Sequence, residues 1–318
     1  MEIDTDNMKI DLVYLWVDGS DPAWLAKRNA FMGNSCGNTS VNCKGRHADN
    51  DELKYSLRAA EKYAPWIHKI FIVTDGQTPG WLDTTNRRIK IVDIAEILPE
   101  SALPCFNSAI IEYHLHKIPG LSERFLYAND DMFINKPAAP DTFFAADGLP
   151  IIRLCRKPFR RLRWFWKEHI GGKPLQQYYK TIVNASQAVK KKYGIYYNGV
   201  PHHNIDAYLK SDCRRVVEET FKKELEPLFT NHIRSGNDIQ RILYLYAALA
   251  EKRGRLRCVS KKESFFLRPF RISNYDKLER YRPALFCLND SERVSDSDRE
   301  RLKAWLAKRF PEKSAFEK

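Results

Sequence analysis

The chain has 318 residues, of which 43% are hydrophobic and 29% charged, and its formal net charge is +13. This composition is that of a globular protein and excludes a disordered one; no apolar run approaches a membrane span, and the acidic, polar start of the chain predicts no secretory signal. The positive charge implies an anionic partner, which could be nucleic acid, a membrane surface or a phosphate-bearing substrate.

The seven cysteines are scattered and odd in number, which favours free thiols in a reducing cytoplasm over a disulfide framework. Cys36 and Cys43 lie close to His47, but their spacing matches no standard zinc site, so we expect no zinc there. We therefore expect a cytoplasmic protein.

The first predicted element is a strand over residues 10–17, which are mostly branched and aromatic. The strand stops at Asp18 and Gly19, and Asp21 followed by Pro22 is typical of a helix N-cap and first helical position. Asp18 and Gly19 therefore lie in a loop at the carboxyl end of a strand. Both a turn and a contact with a nucleotide or sugar are compatible with that position.

Residues 33–46 are rich in Gly, Asn, Ser and Thr, which predicts a mobile loop and a candidate lid. A helix is predicted over residues 51–63, with acids in its first turn. Lys54 and Arg58 lie one turn apart on this helix. They form either a solvated basic face or a phosphate contact.

Strands are predicted at residues 69–74 and 88–92, and a helix at 109–118. Glu112 and His116 lie one turn apart on that helix. Such a pair can bind a metal, although a helix-surface pair is commoner. Strands and helices thus alternate over residues 1–145, which predicts a mostly parallel, doubly wound sheet.

The next predicted strand ends in an acidic pair. Its hydrophobic run, residues 125–128, stops at Asn129, Asp130 and Asp131, and an apolar pair follows. In open α/β sheets ligands bind at the carboxyl ends of strands, and two carboxylates there suit a hard divalent cation that carries phosphates. An acidic turn is the competing interpretation, because Asn-Asp is favourable turn chemistry.

Residues 153–167 carry seven basic residues and no acidic ones, interleaved with four aromatic rings. An anionic polymer, anionic lipid headgroups and nucleic acid could each bind such a stretch, and a basic surface over a core edge is the structural alternative. The charge density favours a binding role. No nucleic-acid fold signature accompanies it, so we expect no nucleic acid as partner.

The second half is predicted to be mainly helical. Residues 202–206 and 234–238 are polar clusters that we expect to open helices, where polar groups can meet phosphate. Near the end, a strand at 285–288 runs into Asn289 and Asp290, and a last helix is expected at 296–309.

Several long segments resemble the conserved regions of the Stealth family, and they occur in the family's order. Residues 14–24, 51–82 and 121–133 resemble the first two regions, residues 201–211 and 233–240 the third, and residues 287–292 and 310–318 the fourth. Stealth proteins are sugar-1-phosphate transferases, among them bacterial capsular polysaccharide phosphotransferases and the animal N-acetylglucosamine-1-phosphotransferase. The resemblance implies a Rossmann-like, nucleotide-sugar-transferase (GT-A-like) fold. It also implies an enzyme that uses Mg²⁺ or Mn²⁺.

The resemblance also assigns roles to individual residues. Asp130 and Asp131 match the family's central acidic pair, His203 a catalytic histidine, Arg234 a catalytic arginine, and Asp18 the acidic position of the first region. The neighbouring His202 leaves the histidine assignment open, although the Ile-Asp that follows favours His203. The expected metal ligands are Asp130, Asp131 and Asp290, and the expected catalytic residues are His203, Arg234 and Asp131. Substrate contacts are expected from Asp18, Gly19, Lys54, Arg58, Asn129, Asn237, Asp238 and Asn289.

The function implied by the resemblance is transfer of hexose-1-phosphate, by default N-acetylglucosamine-1-phosphate, from a UDP-sugar to a hydroxyl of a growing capsular or cell-wall glycan, with release of UMP. His203 would act as the general base or form a phosphohistidine. A metal-dependent glycosyltransferase that releases UDP, and a non-catalytic binding protein for anionic polymer, are the rival hypotheses.

Two halves are expected: residues 1–145 bind the nucleotide-sugar and metal, and a mainly helical acceptor-binding half, residues 146–318, completes the same site. One continuous domain is the alternative. The basic, aromatic stretch would bind an anionic glycan acceptor, with peripheral contact to the inner membrane surface as the competing interpretation.

Overall fold

The structure, a computed structural model, describes residues 9–32, 50–172, 174–291 and 293–318. The candidate lid at 33–46 and the cluster of Cys36, Cys43 and His47 lie outside these ranges. The strands are β1 (Ile10–Leu15), β2 (Ile70–Thr74), β3 (Ile89–Asp93), β4 (Arg124–Asn129), β5 (Met132–Ile134), β6 (Ile151–Cys155), β7 (Val200–Pro201), β8 (Asp206–Leu209), β9 (Arg255–Cys258), β10 (Ser264–Leu267) and β11 (Leu285–Leu288).

The helices are interspersed among these strands along the chain. They are α1 (Pro22–Met32), α2 (Glu52–Tyr63), α3 (Ser108–His114), α4 (Arg160–His169), α5 (Gln177–Tyr193), α6 (Lys210–Arg215), α7 (Lys222–Leu225), α8 (Ile242–Ala250), α9 (Ile272–Tyr281) and α10 (Asp296–Arg309). Within the described ranges, none is both long enough and apolar enough to cross a membrane.

A five-stranded sheet in the order β3–β2–β1–β4–β8 organises the molecule. The first four strands are parallel, and β8 runs antiparallel to β4. Successive side chains point to opposite faces, so Leu12 and Tyr14 pack into one core and Val13 into the other. Burial on both faces explains the continuous hydrophobic runs, and the predicted α/β class with a mostly parallel sheet is confirmed.

The second half adds strands as well as helices. β8 joins the main sheet, β11 pairs with β5 in the sheet β10–β11–β5, and β7–β6–β9 form a third sheet. Strands from both halves of the chain therefore share two sheets.

Two predicted helix starts are wrong. The cluster at 202–206 leads into strand β8, because Ala207 and Leu209 pack into one core and Tyr208 into the other, a period of two rather than of a helix. The cluster at 234–238 lies in a loop, and the helix begins only at Ile242. In contrast, the predicted start of α1 is confirmed, since Asp21 Oδ1 accepts hydrogen bonds from the N–H groups of the first turn.

The expected substrate contact of Arg58 is also wrong. Its Nε and Nη2 bind the carboxylate of Glu317 at 2.7 and 2.6 Å, and its Nη1 donates to the carbonyl of Phe310 at 2.7 Å. The pair is buried, with side-chain exposures of 10% and 3%. Arg58 therefore holds the C-terminal segment against α2.

We expect Arg58→Met to destabilise the protein by roughly 3 kcal/mol, because it leaves the buried Glu317 carboxylate without its counter-charge. Chemical denaturation measures this change, and substitution of the exposed Arg87 by Met is the matched control. If Arg58→Met instead left stability unchanged and weakened substrate binding, the structural role would be contradicted.

Candidate active site

Polar groups from several strands meet at one edge of the main sheet. Because β1 to β4 are parallel, their carboxyl ends lie together, including Asp18 after β1 and Asn129 at the end of β4. β8 is antiparallel, so its beginning lies at this same edge, with Asp206 opposite Tyr127. The misassigned cluster at 202–206 is thereby brought to the carboxyl ends of the parallel strands.

The loop after β1 is held in a fixed conformation. Asp18 Oδ1 accepts hydrogen bonds from the N–H and hydroxyl of Ser20 at 2.8 and 2.6 Å. The side-chain amide of Gln77, after β2, bonds both the N–H and the carbonyl of Asp18 at 2.9 and 3.0 Å. The backbone around Asp18 and Gly19 is therefore rigidly presented at the edge.

Asp131 has a carboxylate oxygen without a partner. The thiol of Cys287 donates to Oδ2 at 3.4 Å, whereas Oδ1 is buried and makes no hydrogen bond to any described residue. Burial and the nearby negative charge of Glu52 raise the pKa of Asp131 to about 7. A buried, orphaned carboxylate oxygen of this kind fits a bound cation.

Sequence reasoning missed Glu52. Its carboxylate is buried in the first turn of α2 and accepts hydrogen bonds from the N–H and side-chain amide of Asn50 at 2.6 and 2.7 Å. An acid at a helix start is ordinarily explained by the helix dipole, so the sequence alone carried no sign of its proximity to Asp131.

Asp290 does not have a carboxylate available for a metal. Arg299 binds it with two hydrogen bonds of 2.9 and 3.1 Å, and Asn50 lies at 3.4 Å. Among the described residues no group of three His, Cys, Asp or Glu side chains is arranged to hold a metal ion. The expected set of three ligands is therefore wrong at Asp290, and Asp130 and Asp131 are left as the candidate pair.

The end of β11 does lie beside the acidic pair. The N–H of Leu288 donates to the carbonyl of Asp131 at 2.8 Å, which brings Asn289 to the same edge. The side-chain oxygen of Asn129 lies 2.8 Å from the hydroxyl oxygen of Tyr127. Lys54 lies over the ring of Tyr55, 5.8 Å from its centroid.

Arg241 is the most extensively paired residue at the site that was not predicted from the sequence. Its guanidinium is buried and forms ion pairs of 3.2 Å with both Glu112 and Asp206. It also lies 4.8 Å from the centre of the Tyr127 ring. Glu112 therefore serves this network rather than a metal shared with His116, whose Nε2 contacts Glu218 at 3.1 Å instead.

The two adjacent histidines have different environments. His202 is buried, with Nδ1 bonded to the hydroxyl of Ser264 and Nε2 to Asp206, both at 3.0 Å. His203 adopts a left-handed backbone conformation (φ 54°), which turns its ring between Tyr178 and Phe266 at centroid distances of 6.1 and 5.4 Å. Both ring nitrogens of His202 are thus engaged in structural contacts.

His203 differs from His202 in its ring contacts. Within the described residues its ring nitrogens make no hydrogen bond. Burial lowers the pKa of His203 to about 4, and the positive charge of Arg241 acts in the same direction. The imidazole is therefore neutral at physiological pH and can accept a proton.

The loop that carries Arg234 is positioned by Asp238. The buried carboxylate of Asp238 accepts hydrogen bonds from the side-chain amides of Asn107 and Asn231, both at 3.0 Å, and from the N–H of Ser235 at 2.7 Å. Asp238 is therefore a structural residue, and the expected substrate contact there is wrong.

Arg234 and Asn237 stay exposed on this loop. Arg234 donates to the hydroxyl of Ser108 at 2.6 Å, and its charge contributes to the low pKa of His203. The loop therefore brings a guanidinium into the electrostatic range of the histidine.

The raised pKa of Asp131 predicts a pH-dependent stability. In the unfolded chain the Asp131 carboxyl has its ordinary pKa of 3.8 and loses its proton above about pH 4, whereas in the folded protein it keeps the proton up to about pH 7. The free energy of unfolding therefore falls as the pH rises from about 4 to about 7. Asp131→Asn removes the ionisation. Without divalent cations, we expect the variant to melt a few degrees higher than the wild type at pH 8, with the difference disappearing towards pH 4.

Calorimetry at both pH values measures this difference, with Asp141→Asn at an exposed position as the control. Equal melting temperatures of the wild type and Asp131→Asn at pH 8 would show that Asp131 is not an uncompensated charge.

Comparison with known proteins supports the sequence resemblance. The family models described as Stealth protein conserved region 1 and conserved region 2 match residues 8–36 and 46–152. The exopolysaccharide phosphotransferase cps2G of Lactiplantibacillus plantarum is 49% identical over 141 residues, which cover 44% of this chain and 41% of that protein. The chain thus spans less than half the length of this curated relative.

Another relative matches over most of its length. The capsular polysaccharide phosphotransferase fcs1 of Haemophilus influenzae is 33% identical over 297 residues, which cover 89% of this chain and 78% of that protein. Among solved structures, the galactosyltransferase LgtC in complex with donor and acceptor sugar analogs has a TM-score of 0.46 at 10% identity, covering 96% of both chains. The long match to the Haemophilus protein and the two conserved regions show that the chain belongs to the Stealth family.

Proposed function

We propose that this protein transfers hexose-1-phosphate, by default N-acetylglucosamine-1-phosphate, from a UDP-sugar to a hydroxyl of a growing capsular or exopolysaccharide chain and releases UMP. Relatives named capsular and exopolysaccharide phosphotransferases support the reaction class. One observation supports it most: His203 lies within electrostatic range of Arg234 and Arg241, at the sheet edge that also carries the unpartnered Oδ1 atom of Asp131.

Asp131 and its neighbour Asp130 would hold the divalent cation. Mg²⁺ in phosphoryl-transfer sites commonly uses one or two carboxylates together with substrate phosphates and water, so a two-carboxylate site fits this chemistry. Bound Mg²⁺ or Mn²⁺ would neutralise charge on the donor diphosphate. The rigid backbone at Asp18 and Gly19, with Asn129 and Asn289 nearby, would orient the donor from the same edge.

His203 would act as the general base. The acceptor oxygen attacks the β-phosphorus of the donor, the new O–P bond forms as the bond to UMP breaks, and the hydroxyl proton moves to the imidazole. The low pKa keeps the imidazole unprotonated before reaction, and the negative charge of the bound diphosphate raises that pKa towards the range in which a base works well. Arg234 would stabilise charge on the transferring phosphoryl group.

A cytoplasmic reaction suits the chain. The cysteines that the structure describes, Cys105, Cys155, Cys213, Cys258 and Cys287, are all free thiols. This state is typical of a reducing compartment. We also propose that the acceptor is an anionic glycan, since a phosphodiester polymer complements the net charge of +13.

We expect His203→Asn to lower turnover by about 10²–10⁴-fold, the usual contribution of a general base, without loss of folding. His169→Asn, at an exposed histidine, is the control. The assay incubates the full chain with a UDP-sugar, Mg²⁺ or Mn²⁺ and a primer glycan, and quantifies the nucleotide released.

The identity of the nucleotide decides between the hypotheses. UMP supports phosphoryl transfer, UDP would instead establish glycosyl transfer, and release of neither would favour a binding protein. Near-wild-type turnover by folded His203→Asn would remove the proposed base.

A further inference from the structure

Helix α4 exposes an apolar stripe. Leu162 and Trp166 lie one turn apart on one side of the helix, and the cap residues Phe159 and Ile170 continue the spacing of three and four residues at its two ends. They are 74%, 62%, 57% and 58% exposed, and Phe165, at 54%, widens the stripe. Within the described ranges these are five of eleven exposed large hydrophobic residues. An amphipathic helix of a globular protein normally turns such a side to the core.

The opposite side of α4 is the one that packs. Arg160 is buried and donates to the hydroxyl of Ser186 at 2.7 Å. One turn on, Trp164 packs against Tyr179 of α5 with ring centres 5.0 Å apart. Glu168, a further turn on, faces a lysine of α5 at 3.8 Å. These contacts fix the orientation of α4 about its own axis, and its apolar stripe therefore faces away from α5.

Positively charged side chains flank the apolar stripe. At roughly 100° of rotation per residue, Arg161 lies on one side of it, and Arg163 and Lys167 lie on the other. All three are exposed, as are Arg156 and Lys157 just before the helix. No acidic residue occurs between residues 148 and 167, and Glu168 is turned inward. The surface is therefore apolar along its centre and positive along both margins.

We propose that α4 lies in the surface of an anionic lipid bilayer, with its apolar stripe among the acyl chains and its cations at the headgroups. A short helix with Trp, Phe and Leu on one side and Arg and Lys beside it is the pattern of an interfacial helix. A glycan fits less well, because the aliphatic Leu162 and Ile170 would desolvate its hydroxyls without replacing their hydrogen bonds.

The position of α4 relates this surface to the candidate active site. Trp164 contacts Tyr179, whose neighbour Tyr178 lies 5.7 Å away and packs against His203 at 6.1 Å. Helices α4 and α5 thus lie between the proposed lipid contact and the histidine along this path of rings.

Vesicle flotation with the full chain tests the proposal without donor or acceptor, so its outcome is independent of the proposed reaction. We expect binding to phosphatidylethanolamine vesicles containing one quarter phosphatidylglycerol, and at least tenfold weaker binding of the double variant Leu162→Glu, Trp166→Glu. The control pair Leu256→Glu, Ile272→Glu alters equally exposed residues on β9 and α9 and should bind as the wild type does.

Two further measurements separate the alternatives. On vesicle addition, we expect a blue shift of tryptophan fluorescence that Trp166→Phe removes. Circular dichroism confirms that each variant is folded. The proposal is overturned if the wild type does not bind anionic vesicles, or if the α4 and control pairs bind alike. It is also overturned if the α4 variant abolishes self-association or binding of anionic glycan while vesicle binding is unchanged.

Discussion

The buried guanidinium of Arg241 is the interaction on which the candidate site depends. It neutralises Glu112 from α3 and Asp206 from β8, two carboxylates that would otherwise be buried without a counter-charge. Through Asp206 it fixes His202, and the chain then turns so that His203 faces the site. Glu112 in turn accepts a hydrogen bond of 2.9 Å from the hydroxyl of Tyr127 on β4. One ion-pair network therefore connects the histidine to the strand that ends in the acidic pair.

The direction of the strands explains why these groups meet. Because β1 and β4 are parallel, Asp18 and Asn129 lie at the same edge of the sheet. Because β8 is antiparallel, its first residue, Asp206, lies at that edge rather than its last. The burial of Asp131 beside Glu52 opposes ionisation and costs stability in the absence of a cation. Such a local conflict is typical of functional sites, where the charge arrangement suits a ligand rather than the unliganded fold.

Features determined by local sequence could be predicted, and those determined by distant partners could not. The N-cap Asp21 and first helical residue Pro22 were identified because a cap is satisfied within one turn. Arg241 was missed because its partner Glu112 lies 129 residues away. Asp290 was predicted as a metal ligand because its ion pair with Arg299 of α10 could not be inferred from the sequence. The resemblance to the Stealth family supplied the candidate histidine and arginine that periodicity alone would have left unassigned.

We propose that the reaction breaks the bond between the β-phosphorus and the bridging oxygen of the donor, at a site assembled from Asp131, His203 and Arg234. The most direct measurement is the fate of the β-phosphorus, followed with a UDP-sugar that carries ³²P at that position. Phosphoryl transfer predicts that the label appears in the glycan product as a phosphodiester and that the released nucleotide is unlabelled. Label recovered in released UDP, with none in the glycan, would contradict the account.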